Sequence, residues 1–206
     1  MRRPLGLLLL TIVLAAACSG PAATATPGAS SSPAPNATDT PAGTNSGASC
    51  TGALTPAETE GPYFKPGSPE ETSLVGSGLP GTPLTLTGLV LDASCQPIAG
   101  ATLDFWQADD AGSYDNVGYT LRGHLETDFS GAFTLTTIVP GLYPGRTRHI
   151  HVKVQAPAGP LLTTQLYVSD EPTNAADPLY DGRLLMTVTS SGIGLAATFT
   201  FVVATS

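Results

Sequence analysis

The chain reads as an all-β protein, a single β-sandwich domain behind a signal segment and a disordered tether, and three observations predict it. Beyond residue 80 the sequence breaks into eight short runs of alternating or β-branched residues, separated by Gly, Pro, Asp and Asn. No segment after the signal repeats apolar residues at i, i+3, i+4 and i+7 over three turns, so no helix would have a face to bury. With its ends discounted, a chain of 206 residues suits one domain of ordinary size.

The N-terminus opens with Arg2 and Arg3, and the apolar run from Leu5 to Ala17 is shorter than the roughly 20 residues of a membrane-spanning helix. Residues 1–17 are therefore expected to be a secretory signal. Leu14-Ala15-Ala16-Ala17-Cys18 resembles a bacterial lipobox, although Ala15 stands where that pattern prefers Leu. A lipidated Cys18 and an exported, membrane-anchored lipoprotein are expected; simple cleavage and secretion is the alternative. Residues 19–49 hold only Ala, Ser, Thr, Pro, Gly, Asn and one Asp, too little apolar surface to offset the entropy of ordering, so 18–49 reads as a disordered tether.

From Cys50 onward six Lys and Arg face fifteen Asp and Glu, an acidic balance that excludes nucleic acid as a natural partner. With Cys18 assigned to lipid, Cys50 and Cys95 form an even pair in an exported domain and are expected to form a disulfide, tying the N-terminal segment to the first hairpin. No zinc-type cysteine spacing is present.

The expected strands are Leu84–Leu91, Ala101–Ala108, Gly123–Asp128, Ala132–Ile138, His149–Gln155, Leu161–Val168, Leu184–Thr189 and Leu195–Val203. Phe199, Phe201 and Val203 share one face of the last and should be core. In the fifth, Ile150, Val152 and Val154 claim the core, so His149, His151, Lys153 and Gln155 project the other way. Both imidazoles then emerge together.

Those histidines follow a turn carrying Tyr143 and Arg146, and Tyr114 lies in an earlier Gly-containing loop. Each residue alone has an ordinary structural explanation, Tyr143 as a sandwich corner tyrosine and Arg146 as a surface ion-pair partner. Together, two phenols and two imidazoles make a hard, partly anionic donor set suited to a trivalent Lewis-acidic metal, with ferric iron the natural candidate. An Fe(II) site of two His and one carboxylate would need a nearby co-facial Asp or Glu, and a cupin site a Glu and a further His; residues 152–160 supply neither.

The motifs Thr59-Glu60-Gly61-Pro62-Tyr63-Phe64, Gly88-Leu89-Val90-Leu91-Asp92, Asp104-Phe105-Trp106-Gln107-Ala108-Asp109, Leu121-Arg122-Gly123, Thr127-Asp128, Thr137-Ile138-Val139-Pro140-Gly141, His149-Ile150-His151 and Gln165-Leu166-Tyr167 are similar, in order and spacing, to those of the intradiol ring-cleavage dioxygenases. The resemblance covers nearly all of residues 50–206. It implies a β-sandwich holding one non-haem Fe(III) per chain, with Tyr114 and His149 as equatorial and Tyr143 and His151 as axial ligands. It further implies Arg146 as a charge beside the substrate ring, Gln165 in the same shell and Tyr63 at the pocket mouth. The implied reaction opens a catechol-type diol between its hydroxyls with O2 to a cis,cis-muconate-type diacid, Tyr143 taking up a substrate proton. Leu142 departs from the aromatic residue that relatives often place before the axial tyrosine. The helical dimerisation region of the catechol-type branch is missing, which brings the plan nearer the protocatechuate-type branch and leaves a homo-oligomer open. The alternative from another class is a non-catalytic, surface-tethered β-sandwich binding module, whose mark would be loss of a ligand or of Arg146.

Overall fold

The computed structural model describes residues 50–206. The expected signal segment 1–17, Cys18 and the tether 18–49 lie outside the described residues. Eight strands form among the described residues, β1 Pro83–Leu91, β2 Thr102–Gln107, β3 Arg122–Glu126, β4 Ala132–Ile138, β5 His149–Gln155, β6 Leu161–Tyr167, β7 Thr187–Ser191 and β8 Gly194–Val202. They make two four-stranded sheets, ordered β4-β1-β8-β7 and β3-β2-β5-β6. All pairings are antiparallel except β1 with β8.

Alternation builds the core. Leu84, Leu86 and Val90 of β1, Leu103 and Phe105 of β2, Leu135 of β4, Ile150, Val152 and Val154 of β5 and Phe201 of β8 are fully buried between the sheets. Each such side chain contributes about 1.5–3 kcal/mol of transfer free energy relative to exposure. Val203 joins them, while Phe199 is half-buried against the cluster. Gly88 is needed where β1 and β8 pair, because a Cβ there would overlap the Phe199 carbonyl.

One expectation about the elements needs correction. Leu184 to Met186 do not open the seventh strand: Gly182–Leu184 is a single 3-10 turn started by the Asp181 side chain, which accepts from the Arg183 N–H, and β7 begins at Thr187. Leu184 and Met186 are buried all the same, so their apolar alternation imitated a strand. The cysteines do bond, with Cα atoms 5.9 Å apart. Cys95 sits in the short hairpin turn that follows β1, where Asp92 N donates to the Gln96 carbonyl and Leu91 pairs antiparallel with Pro97, so the disulfide ties the N-terminal segment to that turn before the chain crosses to β2 in the other sheet.

The segment before β1 acts as a strap across the outer face of the β3-β2-β5-β6 sheet. Glu58 N donates to the Thr163 carbonyl of β6, Ser68 Oγ donates to Asp104 of β2, and Glu71 N and His124 N exchange backbone bonds with β3 and Pro69. Phe64 packs edge-on to Trp106 with centroids 4.9 Å apart. A polar sheet face thereby becomes interior.

Candidate metal centre

Register places a row of chemically distinctive residues under the strap. Arg122 of β3 lies opposite Trp106 of β2, Trp106 opposite His151 of β5, and His151 opposite Gln165 of β6. One step along, His149 lies opposite Tyr167. Both imidazoles lie on this face, as the alternation along β5 predicts. Their burial, 4% and 3% exposed, comes from the strap and from the loops that follow β2 and β4.

The histidines are held as a pair of facing lone pairs. His149 Nδ1–H donates to the Thr147 carbonyl at 2.6 Å, which leaves Nε2 as the lone-pair nitrogen. That Nε2 is 3.1 Å from His151 Nε2. Two imidazole nitrogens bound at right angles to one metal ion, each about 2.1 Å from it, lie about 3 Å apart, so the spacing fits a shared cation. Burial lowers His149 to about 4, and burial with the neighbouring His149 holds His151 well below the usual imidazole range. Both rings are therefore neutral at pH 7, as metal ligands must be. His151 is fixed by Trp106, stacked on it at 4.8 Å and 5°, and its buried Nδ1 has no hydrogen-bond partner among the described residues.

The tyrosines arrive on two loops that glycine allows to touch. A Cβ at Gly112, whose φ is +81°, would overlap the Leu142 carbonyl, and one at Gly141 would overlap Gly112 N. Gly141 N also donates to the Asp109 carbonyl at 2.7 Å. The contact sets Tyr114 and Tyr143 edge to face, 5.9 Å between centroids, and brings Tyr114 Oη to 3.3 Å from His149 Nε2. Burial pushes the Tyr114 phenol well above its ordinary value, so it becomes an anionic donor only against a cation. Tyr63 stacks on Tyr114 at 4.6 Å and 17°, and its hydroxyl is 2.9 Å from that of Tyr143. That hydrogen bond, with burial, raises the Tyr63 phenol. Tyr143 thus bonds another phenol, where a corner tyrosine would bond backbone.

Arg146 is positioned by a network of which the sequence named Gln165 but not Asp177. Its Nε donates to both oxygens of Asp177 at 3.1 and 2.9 Å, and its Nη2 to Gln165 Oε1 at 2.6 Å. Gln165 in turn donates to the Thr59 carbonyl of the strap. Asp177 also accepts from the Thr147 and Leu179 N–H groups. Burial alone would raise its carboxyl, but these backbone donors and Arg146 outweigh it and hold the group below the usual range. Tyr167 donates to the Leu179 carbonyl at 2.9 Å and lies 3.4 Å from Arg146 Nη2. Its alternation with Gln165 on β6 was a usable signal; Asp177, in an irregular stretch, gave none.

Arg122 is fully buried, bonded through Nε to the Asp115 carbonyl, while both Nη groups lack partners among the described residues. It ties the Tyr114 loop to β3. His124 bonds the Ser68 carbonyl through Nδ1 and stands a row away from the imidazole pair, apart from the candidate ligands.

A dioxygenase family pattern matches residues 59–194, two-thirds of the chain and every candidate ligand. The solved dioxygenase domain of a dioxygenase carbohydrate-binding protein fusion from Streptomyces sp. SirexAA-E is 58% identical, with a TM-score of 0.73 over 75% of this chain and 100% of that one. 3-Chlorocatechol 1,2-dioxygenase of Rhodococcus opacus is 29% identical, with a TM-score of 0.67 over 73% of this chain and 72% of its own. Hydroxyquinol 1,2-dioxygenase of Nocardioides simplex is 30% identical over 145 residues, 58% of this chain and 49% of that protein. The chain belongs to the intradiol ring-cleavage dioxygenase family. It spans about half the length of the curated relatives it matches.

Proposed function

We propose that the chain is a non-haem Fe(III) dioxygenase that cleaves a catechol-type aromatic diol between its hydroxyls, placing both atoms of O2 in a cis,cis-muconate-type diacid. The observation that carries this is the convergence of two neutral imidazole nitrogens 3.1 Å apart with a phenol 3.3 Å from one of them. Tyr114, Tyr143, His149 and His151 would hold the iron. Bound there, a ferric ion supplies the Lewis acidity that draws electron density from a chelated diol and opens it to O2. Tyr143, as the phenolate that would hold the ion, would take up a diol proton at its phenolic oxygen and become a neutral phenol, with the Tyr63 hydroxyl 2.9 Å away as its hydrogen-bond partner. Arg146, its planar group oriented by Asp177 and Gln165, stabilises negative charge that develops on the ring oxygens. The strap and Trp106 exclude water from the imidazole side.

Export and anchoring through lipid on Cys18 complete the reading, supported by the segment from Arg2 to Cys18. The deciding experiment loads the purified chain with ferric iron and follows O2 uptake and product absorbance with catechol, hydroxyquinol and chlorocatechols. One O2 per ring opened and a muconate-type spectrum are expected, with iron near one per chain. A chain that binds no iron and consumes no O2 with any of these diols overturns the proposal.

A further inference from the structure

Tyr114 stands in a stretch of chain between β2 and β3 that has no regular structure of its own. Among the described residues neither its N–H nor its carbonyl makes a hydrogen bond, so its backbone is fixed from the residues on either side. Before it, Asp109 Oδ1 accepts from Ala111 N and Ser113 N at 3.0 and 2.8 Å. That turn is backed by main-chain bonds, Gly112 N and Gly141 N both donating to the Asp109 carbonyl. After it, Asp115 closes a larger ring: Oδ1 accepts from Val117 N at 2.9 Å and Gly118 N at 2.7 Å, and Oδ2 from Thr120 N at 3.0 Å.

The rest of the ring is built around that carboxylate. A Cβ at Gly118 would come within 2.7 Å of Asp115 Oδ2, so the acid uses the space that glycine leaves. Leu121, just beyond the ring, has a φ of 55°, a left-handed conformation that a bulky residue keeps only when its surroundings hold it there. Arg122 Nε donates to the Asp115 carbonyl at 2.9 Å and anchors the ring to β3. From the strap, the Lys65 amine donates to the Val117 and Gly118 carbonyls at 2.6 and 3.1 Å and lies over the Tyr119 ring, whose hydroxyl donates to the Pro66 carbonyl. Without the carboxylate, three backbone N–H groups would lose their partner while Leu121 stayed strained.

We infer that Asp115 is a positioning residue: by closing the 115–120 ring it fixes the Tyr114 backbone so that the phenol meets the imidazole pair. The inference deepens the ring-cleavage reading, on which it rests for the role of Tyr114 as an iron donor. A donor carried on irregular chain is precise only as far as the groups behind it are locked.

The first test needs no iron. In the metal-free wild type, NMR should show contacts between the ring protons of Tyr114 and those of His149, as the 3.3 Å separation of Oη and Nε2 requires, and Asp115→Ala should lose them. Contacts missing from the wild type, or kept in Asp115→Ala, overturn the inference. The second test loads the chains with ferric iron and reads affinity by chelator competition together with the visible phenolate-to-iron band. Asp115→Ala should bind iron about 10–100-fold more weakly, the loss typical for a group that orients a metal ligand. Its band per bound iron should fall to roughly half, one of two phenolate donors being out of place. Tyr114→Phe should do the same, and the double variant should be no worse than Tyr114→Phe alone, because both changes remove one interaction. A merely structural Asp115 would lower the unfolding midpoint and leave the band per iron unchanged; that result overturns the inference, as does an additive loss. Should Asp115→Ala fail to fold, Asp115→Asn keeps the shape but leaves one acceptor oxygen where Asp115 uses two, and an unchanged band there overturns the inference equally. A wild type that shows the ring contacts yet binds no iron removes the ferric reading and leaves the positioning role standing.

Discussion

The two sheets present outer faces of the same geometry and opposite fate. Across β4-β1-β8-β7 one register row reads Thr134, Thr87, Thr198, Thr187, three exposed and one half-buried. Across β3-β2-β5-β6 the corresponding kind of row reads Arg122, Trp106, His151, Gln165, every member buried. Threonine is a β-former that leaves its hydroxyl to water and needs no roof. The second row is buried under the strap at a cost, since the Trp106 indole N–H, both Arg122 Nη groups and His151 Nδ1 have no hydrogen-bond partner among the described residues. Polar residues under a roof mark chemistry; polar residues in water mark only a surface.

That contrast can be broken from either side. The largest effect is expected from His149→Ala or His151→Ala, which should take iron from near one per chain to below a tenth, measured by metal analysis after chelator challenge. Arg146→Leu should keep the iron and lower kcat by about 10²–10³-fold, the loss typical for one preorganised charge donor; steady-state kinetics with metal analysis separates the two behaviours. Replacing Cys50 by Ser opens a link of sequence separation 45, which should cost about 4 kcal/mol in denaturant melts by loop entropy. It should leave kcat unchanged below the melting transition.

Acid unfolding sharpens the comparison through Asp177. Its folded value lies below the ordinary carboxylate value, so its contribution to stability is complete above the unfolded value of about 3.9 and is lost as pH falls through the folded one. Asp177→Asn should therefore lose less stability than the wild type on acidification from about pH 5 to about pH 2. The smallest effect belongs to the open face: Thr134→Val should move stability by no more than about 0.5 kcal/mol and leave iron and activity alone.

Much of this could be read from residue order. Alternation gave seven of the eight strands to within two residues at either end, since a half-buried strand must repeat with period two; it failed at Leu184 to Met186, where a 3-10 turn buries the same alternation. Parity gave the shared direction of His149 and His151. That β1 and β2 fall in different sheets was not legible, because the hairpin turn at Asp92–Gln96 is the same whether the chain then continues in one sheet or crosses to the other. Asp177 was invisible for a similar reason: it sits thirty residues from Thr147 in irregular chain, and only folding brings it to Arg146.

By itself, then, the sequence determined the fold class and the donor types Tyr114, Tyr143, His149 and His151, because both follow from local periodicity and side-chain chemistry. Tertiary structure alone decided that His149, His151 and Tyr114 converge, that the strap covers the imidazoles and that Asp177 and Gln165 orient Arg146. Convergence depends on which strands become neighbours, and burial on which distant segment crosses them; neither quantity is written in any one stretch of chain.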